Sequence, residues 1–285
     1  MSRIAALCLS VSLLFPLAAQ AQAGGIGWHL ESAERGKVQL SLSRDRNGGR
    51  DRDSNDWAPQ ELQGLGANPY ANGTEVSFRI VRLAGVLACE GRGRGGHAEG
   101  DCRFNRDAAY FESLRTRGVS VTDEWLAWQL AHFDVPLALL DELRRLGYET
   151  PSARDLISAG IFKIDVAFLR ALDGAGYRLE NVRALVPLRI HGVDAAYIRD
   201  LKAANPRLQL RPQELVNFRI HGVTPQWVAG WTQLGYNLSA IQLTNTRIHG
   251  ASPDYARAML AEVHDRPTID QFIAMRIHGV RPGNR

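Results

Sequence analysis

One tetrapeptide, Arg-Ile-His-Gly, occurs four times in the second half of this 285-residue chain. Its copies begin at Arg189, Arg219, Arg247 and Arg276, which are 30, 28 and 29 residues apart. Self-similarity at a fixed period of about 20 to 50 residues is typical of stacked supersecondary units, none of which can bury its apolar face alone. The tetrapeptide therefore predicts a repeat array.

Apolar residues extend this repeat upstream of the first tetrapeptide. The segment DAAYIRDL at Asp194 resembles DAAYFESL at Asp107, which lies 87 residues earlier. Between them, apolar residues recur at spacings of three and four, which place them on one face of a helix. We predict six helical hairpins of about 29 residues over positions 105–285. They would form an α-solenoid-like array ending in a carboxy-terminal stub.

Capping residues mark where the predicted helices begin and end. Oxygen-bearing side chains that can accept from free backbone N–H groups precede the apolar runs. The first helix of a hairpin is predicted to open at Asp107, Asp165, Asp194, Thr224 and Ser252. The second helix is predicted to open at Thr122, Ser152, Asn181, Ser239 and Thr268. First helices are predicted to end at residues that tolerate a left-handed conformation, namely Gly118, Gly147, Gly176, Asn205 and Gly235.

The recurring histidines His191, His221, His249 and His278 could be a row of metal ligands or part of a helix end. Metal ligands must converge on one ion at roughly 2.0–2.1 Å, whereas equivalent positions on packed helices lie about 8–10 Å apart. The helix-end interpretation is therefore favoured. It predicts left-handed glycines at Gly192, Gly222, Gly250 and Gly279.

The same interpretation assigns roles to the other letters of the tetrapeptide. Arginine and histidine would face the negative end of the helix dipole. Isoleucine would supply the core, at Ile190, Ile220, Ile248 and Ile277. The four arginines and four histidines are also candidate binding residues, because a row of Arg suits anionic glycans or acidic protein surfaces.

Upstream of the array, residues 24–104 change to the period of two that strands show. We predict a small antiparallel β domain here, so the whole chain is α+β and mostly α. The segment Gly91–Gly96 spells G-x-G-x-x-G, but no helix pattern follows it, which favours a hairpin loop over a dinucleotide site. A hairpin centred between Gly95 and Gly96 would place Cys89 opposite Cys102 and predicts a disulfide.

The charged run from Arg44 to Asp56 admits two interpretations. Its alternating acids could bind Ca²⁺, yet Gly49 and Arg50 stand where an EF-type loop starting at Asp45 needs an acid and a glycine. A mobile, self-neutralising loop between strands is favoured.

The amino terminus has the layout of a secretory signal peptide. An apolar run from Ile4 to Leu17 follows one basic residue, and small residues stand at Ala19, Ala21 and Ala23. We predict a signal peptide over residues 1–23 and a periplasmic or secreted protein. Without Arg3 the remaining 33 basic and 30 acidic residues give a net charge of +3. This excess is too mild to indicate a nucleic-acid partner, and no later apolar run is long enough for a membrane span.

No catalytic constellation stands out from the sequence. There is no G-x-S-x-G motif, and His29, His97, His132 and His264 lack recognisable partners. We predict no enzyme activity, no catalytic residue, no metal ligand and no cofactor.

The stretch RIHGVTPQWVAGWTQLGYNLSAIQL, Arg219–Leu243, resembles a helical repeat of uncharacterised bacterial exported proteins. That repeat is also appended to membrane zinc metallopeptidases of the β-lactam-sensor type. The stretch Val76–Phe104 looks like the domain that often precedes these repeats. The resemblance implies export and a helical array, and it transfers no activity, because the peptidase's zinc motif and membrane helices are missing from this sequence.

Together these observations predict an exported, non-catalytic binding or scaffold protein. Its repeat surface would engage a protein partner or an anionic envelope polymer. The alternatives are an accessory or regulatory partner of a membrane peptidase, or an envelope enzyme without a recognisable motif.

Overall fold

The computed structural model describes residues 25–46 and 49–283. The predicted signal peptide, residues 1–23, lies outside the described residues. The chain divides into two compact units. One runs up to Phe78 and includes Cys89–Arg103, and the other contains Arg79–Ala88 and everything from Phe104 onward. The hairpin segment Arg79–Ala88, which we assigned to the β domain, thus groups with the helical part.

Six strands form one antiparallel sheet in the order β3-β2-β1-β6-β5-β4. The strands are β1 (Ile26–Ser32), β2 (Val38–Arg46), β3 (Gly49–Trp57), β4 (Glu75–Arg82), β5 (Gly85–Arg94) and β6 (His97–Arg106). Alternate residues of β1 and β2 are buried, including Trp28, Leu30, Leu40 and Leu42. This alternation follows from the pleat, which sends successive side chains to opposite faces.

Most of the charged run from Arg44 to Asp56 is strand, and its residues 47 and 48 lie outside the described residues. It forms the end of β2 and most of β3, paired as far as Arg46 and Gly49. Opposite charges meet across this ladder, where Arg44 pairs with Asp51 and Asp45 with Arg50, the latter pair at 2.7 Å. Cross-strand pairs of opposite charge stabilise a sheet. The alternation of signs that suggested a self-neutralising loop is therefore a strand pairing.

The glycine-rich segment belongs to the hairpin of β5 and β6. A side chain at Gly91 would lie 2.1 Å from the carbonyl oxygen of Glu99 and 2.6 Å from the Trp28 ring. Gly91 therefore serves close packing, and the strand continues to Arg94 before turning at Gly95 and Gly96, both with positive φ. Cys89 and Cys102 lie opposite each other at disulfide distance, with their Cα atoms 4.0 Å apart. The predicted pairing is confirmed in its geometry.

Twelve helices follow in the described residues, as six consecutive pairs. The first helices are α1 (Ala108–Thr116), α3 (Leu137–Arg145), α5 (Val166–Gly174), α7 (Ala195–Ala204), α9 (Pro225–Gln233) and α11 (Pro253–Leu260). The second helices are α2 (Glu124–His132), α4 (Ala153–Ile161), α6 (Val182–Ile190), α8 (Pro212–His221), α10 (Ala240–Ile248) and α12 (Ile269–Ile277). None of the helices in this described part is long and apolar enough to cross a bilayer.

Each helix packs against its equivalent in the next pair. First helices contact the next first helix from α1 through α11, and second helices contact the next second helix from α2 through α12. The chain therefore forms two rows of like helices. This packing is what the periodicity of apolar residues requires, because each hairpin buries its face against its neighbours.

Most predicted helix starts are confirmed. All five residues named for the first helices are N-caps whose side chains accept from a backbone N–H, as are Ser152, Asn181, Ser239 and Thr268. Thr122 was wrong by one residue, because the Asp123 carboxylate accepts from Leu126 and caps α2. Asn205 was wrong as a left-handed residue, because it has φ −150° and bonds to Asn237.

Second helices end in the predicted left-handed turn. Gly192, Gly222, Gly250 and Gly279 have φ between 67° and 72°. In three of these turns the N–H of the following valine closes the turn. Val193 donates to Leu188 and Val223 donates to Phe218, each at 2.8 Å, and Val280 donates to Met275 at 2.9 Å. The two upstream turns lack glycine and place Asp134 and Lys163 at φ 46° and 55°.

Lys163→Gly should raise the free energy of unfolding. The left-handed conformation costs a residue with a Cβ about 1–2 kcal/mol, and glycine loses roughly 0.5–1 kcal/mol through extra chain entropy. We expect a net gain of roughly 0.5–1 kcal/mol in urea unfolding. The matched control is Gly192→Ala, whose new Cβ meets no atom within 4 Å and should lower stability through the backbone alone. Equal stability of Lys163→Gly and the parent would contradict this account.

Ion pairs join the first three hairpins. Arg117 on the end of α1 bonds to Asp141 of α3 at 2.7 Å. The Glu142 carboxylate, 5% exposed, bonds to Arg145 at 2.6 Å and to Arg170 of α5 at 3.0 Å. Hydrogen bonds from Arg145 and then from Arg170 lower the pKa of Glu142 to about 2. Its charge thus ties the second hairpin to the third.

Lowering the pH should weaken the bonds from Glu142 to the two arginines, because its carboxylate becomes protonated. A carboxylate whose folded pKa lies below its unfolded value of 4.5 stabilises the fold fully above pH 4.5 and loses that contribution as the pH falls toward 2. We expect Glu142→Gln to be less stable than the parent at pH 7, with the difference shrinking between pH 4.5 and 2. Urea unfolding at several pH values measures it. Glu180→Gln, which removes an exposed acid, is the matched control.

Candidate binding surface

The isoleucines of the tetrapeptide are on the surface. Ile190, Ile220, Ile248 and Ile277 are 52–60% exposed, and Ile161 occupies the same position on α4 at 45%. The expectation that they supply the core was wrong. The buried residues near these helix ends are Leu188, Phe218 and Thr246, each two positions earlier. Two residues turn a helix by about 200°, so each isoleucine lies on the face opposite the core.

Three of the four tetrapeptide arginines reach the preceding hairpin, and two of them hydrogen-bond to it. Arg189 Nε donates to the carbonyl of Phe162 at the end of α4, at 3.1 Å. Arg276 Nε donates to the carbonyl of Gly250 at the end of α10, at 3.0 Å. The guanidinium of Arg247 lies beside Gly222 at the end of α8. Arg189 and Arg276 therefore donate to carbonyls at the end of a neighbouring helix, and not to those of their own helix as the sequence suggested.

Each of these arginines also stacks on an aromatic ring of the first helix in its own hairpin. Arg189 covers Phe168 at 5.0 Å from the ring centroid, and Arg219 covers Tyr197 at 3.7 Å. Arg247 covers Trp227 at 4.7 Å, and Arg276 covers Tyr255 at 5.0 Å. A guanidinium within about 6 Å of a ring face gains cation–π attraction. All four arginines nevertheless remain exposed.

The tyrosines under two of these arginines bind the turn that ends their own hairpin. Tyr197 Oη donates to the carbonyl of Val223 at 2.6 Å, and Tyr255 Oη donates to Val280 at 3.0 Å. Burial raises the pKa of Tyr197 to about 12. The phenol therefore stays protonated and donating throughout the range in which the protein would work.

The four histidines of the tetrapeptides lie on the same surface as the arginines and take no part in the hydrogen bonds described above. His191, His221, His249 and His278 are exposed, and none of their rings makes a hydrogen bond within the described residues. The structure does not bring them to one point, since they lie on four successive second helices. Each stands next to its isoleucine at the end of a helix, so each hairpin from the third to the sixth exposes a positive, an apolar and a titratable group in a row.

Two of the histidines without predicted partners lie together on the sheet. His29 and His97 have ring centroids 4.8 Å apart, and His29 Nε2 is 2.7 Å from Glu31. Sequence reasoning missed this contact because it depends on the pairing of β1 with β6, which puts residue 29 opposite residue 99 and residue 31 opposite residue 97. Alternation in "IGWHLES" could have suggested β1.

A shallow cleft lies between α9 and α11, with a volume of about 450 Å³. Its lining includes Trp227, Gly230, Pro253 and the pair Asp254 and Arg257, whose side chains bond to each other at 2.5 Å. The two charges in the cleft are therefore already paired. The arrangement offers packing surface and no pair of groups set up for proton transfer.

Arg219→Ala should lower the free energy of unfolding by about 1 kcal/mol, because the substitution removes the cation over Tyr197. His221→Ala should change it by less than about 0.5 kcal/mol, since exposed residues without partners contribute little. The sequence-based interpretation had assigned this histidine a modest stabilising role as a cap. Chemical denaturation of both variants gives the comparison, and equal losses in the two would contradict the anchoring role of the arginine.

Comparison with protein-family models, with curated proteins and with solved structures found no match to this chain.

Proposed function

We propose that this chain is an exported, non-catalytic binding protein whose partner is an acidic, extended polypeptide segment carrying regularly spaced apolar side chains. The observation that carries the proposal is the row of exposed isoleucines at the ends of α4, α6, α8, α10 and α12. Singly exposed apolar residues are ordinary on protein surfaces. Five at one equivalent position, on helices that contact each other in sequence, form a continuous feature.

The spacing of this row suits an extended chain. We infer that the helix pairs stack in the manner of an α-solenoid, so that neighbouring second helices lie about 8–10 Å apart. A polyproline II chain rises about 3.1 Å per residue, so every third side chain recurs at about 9.3 Å. Alternate residues of a β-strand recur at about 6.8 Å and fit this pitch less well. An extended segment with an apolar residue at every third position would match the isoleucines.

The arginines beside these isoleucines favour an acidic partner. Arg189, Arg219, Arg247 and Arg276 make no ion pair within the described residues, whereas arginines elsewhere in the array do. Ring stacking holds all four guanidinium groups in place, and those of Arg189 and Arg276 also donate to backbone carbonyls. A partner's carboxylates would then meet cations that lose little side-chain freedom on binding. Uncompensated and preorganised cations beside exposed isoleucines support recognition of acidic, apolar segments.

Export is part of the same proposal. It is supported by the Cys89–Cys102 pair at disulfide distance, since such bonds persist in oxidising compartments. The signal-peptide pattern of residues 1–23 supports it from the sequence.

A labelled peptide of five glutamate–proline–leucine triplets should bind the purified chain, as measured by fluorescence anisotropy. A lysine–proline–leucine peptide of the same length should not. Binding should weaken in high salt, because exposed charges are screened over about 10 Å at 0.1 M ionic strength.

The matched variant is the double substitution of Ile220→Ser and Ile248→Ser, which leaves the arginines in place. Both side chains are exposed, so the fold should persist. Fully burying an isoleucine contributes about 1.5–3 kcal/mol, and about half of each side chain is already covered, so the two together should contribute roughly 1.5–3 kcal/mol and the dissociation constant should rise at least about tenfold. Equal binding by the parent and the double variant, or by the acidic and basic peptides, would contradict the proposal.

A further inference from the structure

Four polar side chains stand together on the outer face of β1 and β6. The pairing of these strands sets His29 opposite Glu99 and Glu31 opposite His97. The nitrogen and oxygen atoms that His29, His97 and Glu99 can offer all lie within 4.8 Å of one another. Two imidazoles and two carboxylates are thus gathered on two adjacent strands, outside the helical array and the isoleucine row.

The distances are close to those of a metal site. Donors bound to one tetrahedral ion at roughly 2.0–2.1 Å lie about 3.3 Å from each other. The separations in the cluster exceed this by at most about 1.5 Å, a gap that rotation of the side chains can close. His29 and His97 are half-buried and Glu99 is exposed, so an ion could enter from solvent.

Glu31 completes the arrangement. Its carboxylate lies 2.7 Å from Nε2 of His29. When Nε2 carries the proton, Nδ1 keeps the lone pair that can coordinate an ion. Histidines that bind metals usually donate their second nitrogen to a carboxylate, which fixes the tautomer and the ring orientation. Glu31 supplies such a partner for His29 when Nδ1 takes the ion.

The support behind the cluster is rigid. The residues between these ligands face the other side of the sheet, where Trp28 and Leu30 on β1 and Ala98 on β6 are at most 3% exposed. Trp28 is held further by a hydrogen bond from its indole nitrogen to the carbonyl of Glu90 at 3.1 Å. Ligands carried by strands of this kind keep their geometry better than ligands on loops.

One neighbouring cation competes for the cluster. Arg94 Nε lies 3.6 Å from Glu99 Oε1, and both side chains are largely exposed. An ion pair of this kind contributes little and can be displaced.

We propose that His29, His97 and Glu99 bind one divalent transition-metal ion, with Glu31 orienting His29. Imidazole and carboxylate ligands suit Zn²⁺, whose fourth position would be taken by water. The proposal departs from the sequence-based expectation that the chain binds no metal. It concerns the sheet alone and is independent of the function proposed for the helical row.

Titration of the purified, metal-free chain with Zn²⁺ in a calorimeter tests the site. We expect saturation at one ion per chain. His97→Ala should weaken binding at least about 10-fold to 100-fold, the loss seen when even a supporting partner of a ligand is removed. Arg94→Ala, which removes the competing cation, should strengthen it.

His278→Ala is the matched control, because it removes an exposed histidine of the repeats and should leave Zn²⁺ binding unchanged. Circular dichroism of each variant shows whether the sheet has kept its fold, and Glu99→Gln provides a second, nearly isosteric test at a more exposed position. Absence of saturable binding by the parent overturns the proposal. So does unchanged affinity in folded His97→Ala and Glu99→Gln.

Discussion

The carbonyl groups at the end of a helix have no partner within that helix, and this array satisfies them with cations from the next hairpin. Arg144, Arg189, Lys202, Arg266 and Arg276 each donate to a carbonyl at a helix end 26 to 32 residues earlier in the chain. Four of the five also lie over an aromatic ring. A cation near the carboxy end of a helix is favoured by the helix dipole as well. The joint between hairpins therefore has an electrostatic part in addition to its apolar packing.

Features that depend on neighbouring residues in the chain could be predicted from the sequence. N-caps such as Asp194 and Ser239, and left-handed turns such as that at Gly222, are decided within three or four residues. The cysteine pairing followed from the centre of one hairpin. The repeat period itself predicted the helix pairs, because each unit repeats the same local signals.

Two kinds of feature could not be predicted so well from the sequence. One is the face of a helix on which a residue lies, and the other is the pairing between distant strands. An isoleucine near a helix end was assigned to the core from its residue type, although a count of 100° per residue from Phe218 puts Ile220 outside. Strand β3 escaped notice because it has almost no apolar residue before Trp57, and only the register shows that its charges face charges on β2. The cluster around His29 requires residues about 70 positions apart, which no local pattern brings together.

The bond from each cation to the preceding helix gives the array a direction. A hairpin donates hydrogen bonds to the helix-end carbonyls of the hairpin before it. The carbonyls at its own helix ends accept from the hairpin after it. In a one-dimensional chain of units, stability then lies in the interfaces between neighbours more than in the units themselves. Opening one hairpin would leave carbonyls in the previous hairpin without donors, and the disturbance would pass toward the sheet end of the sequence. Neighbouring hairpins in such an array would open together, and their amide hydrogens would exchange together. A ligand bound to two hairpins would therefore also slow exchange in hairpins that it does not contact.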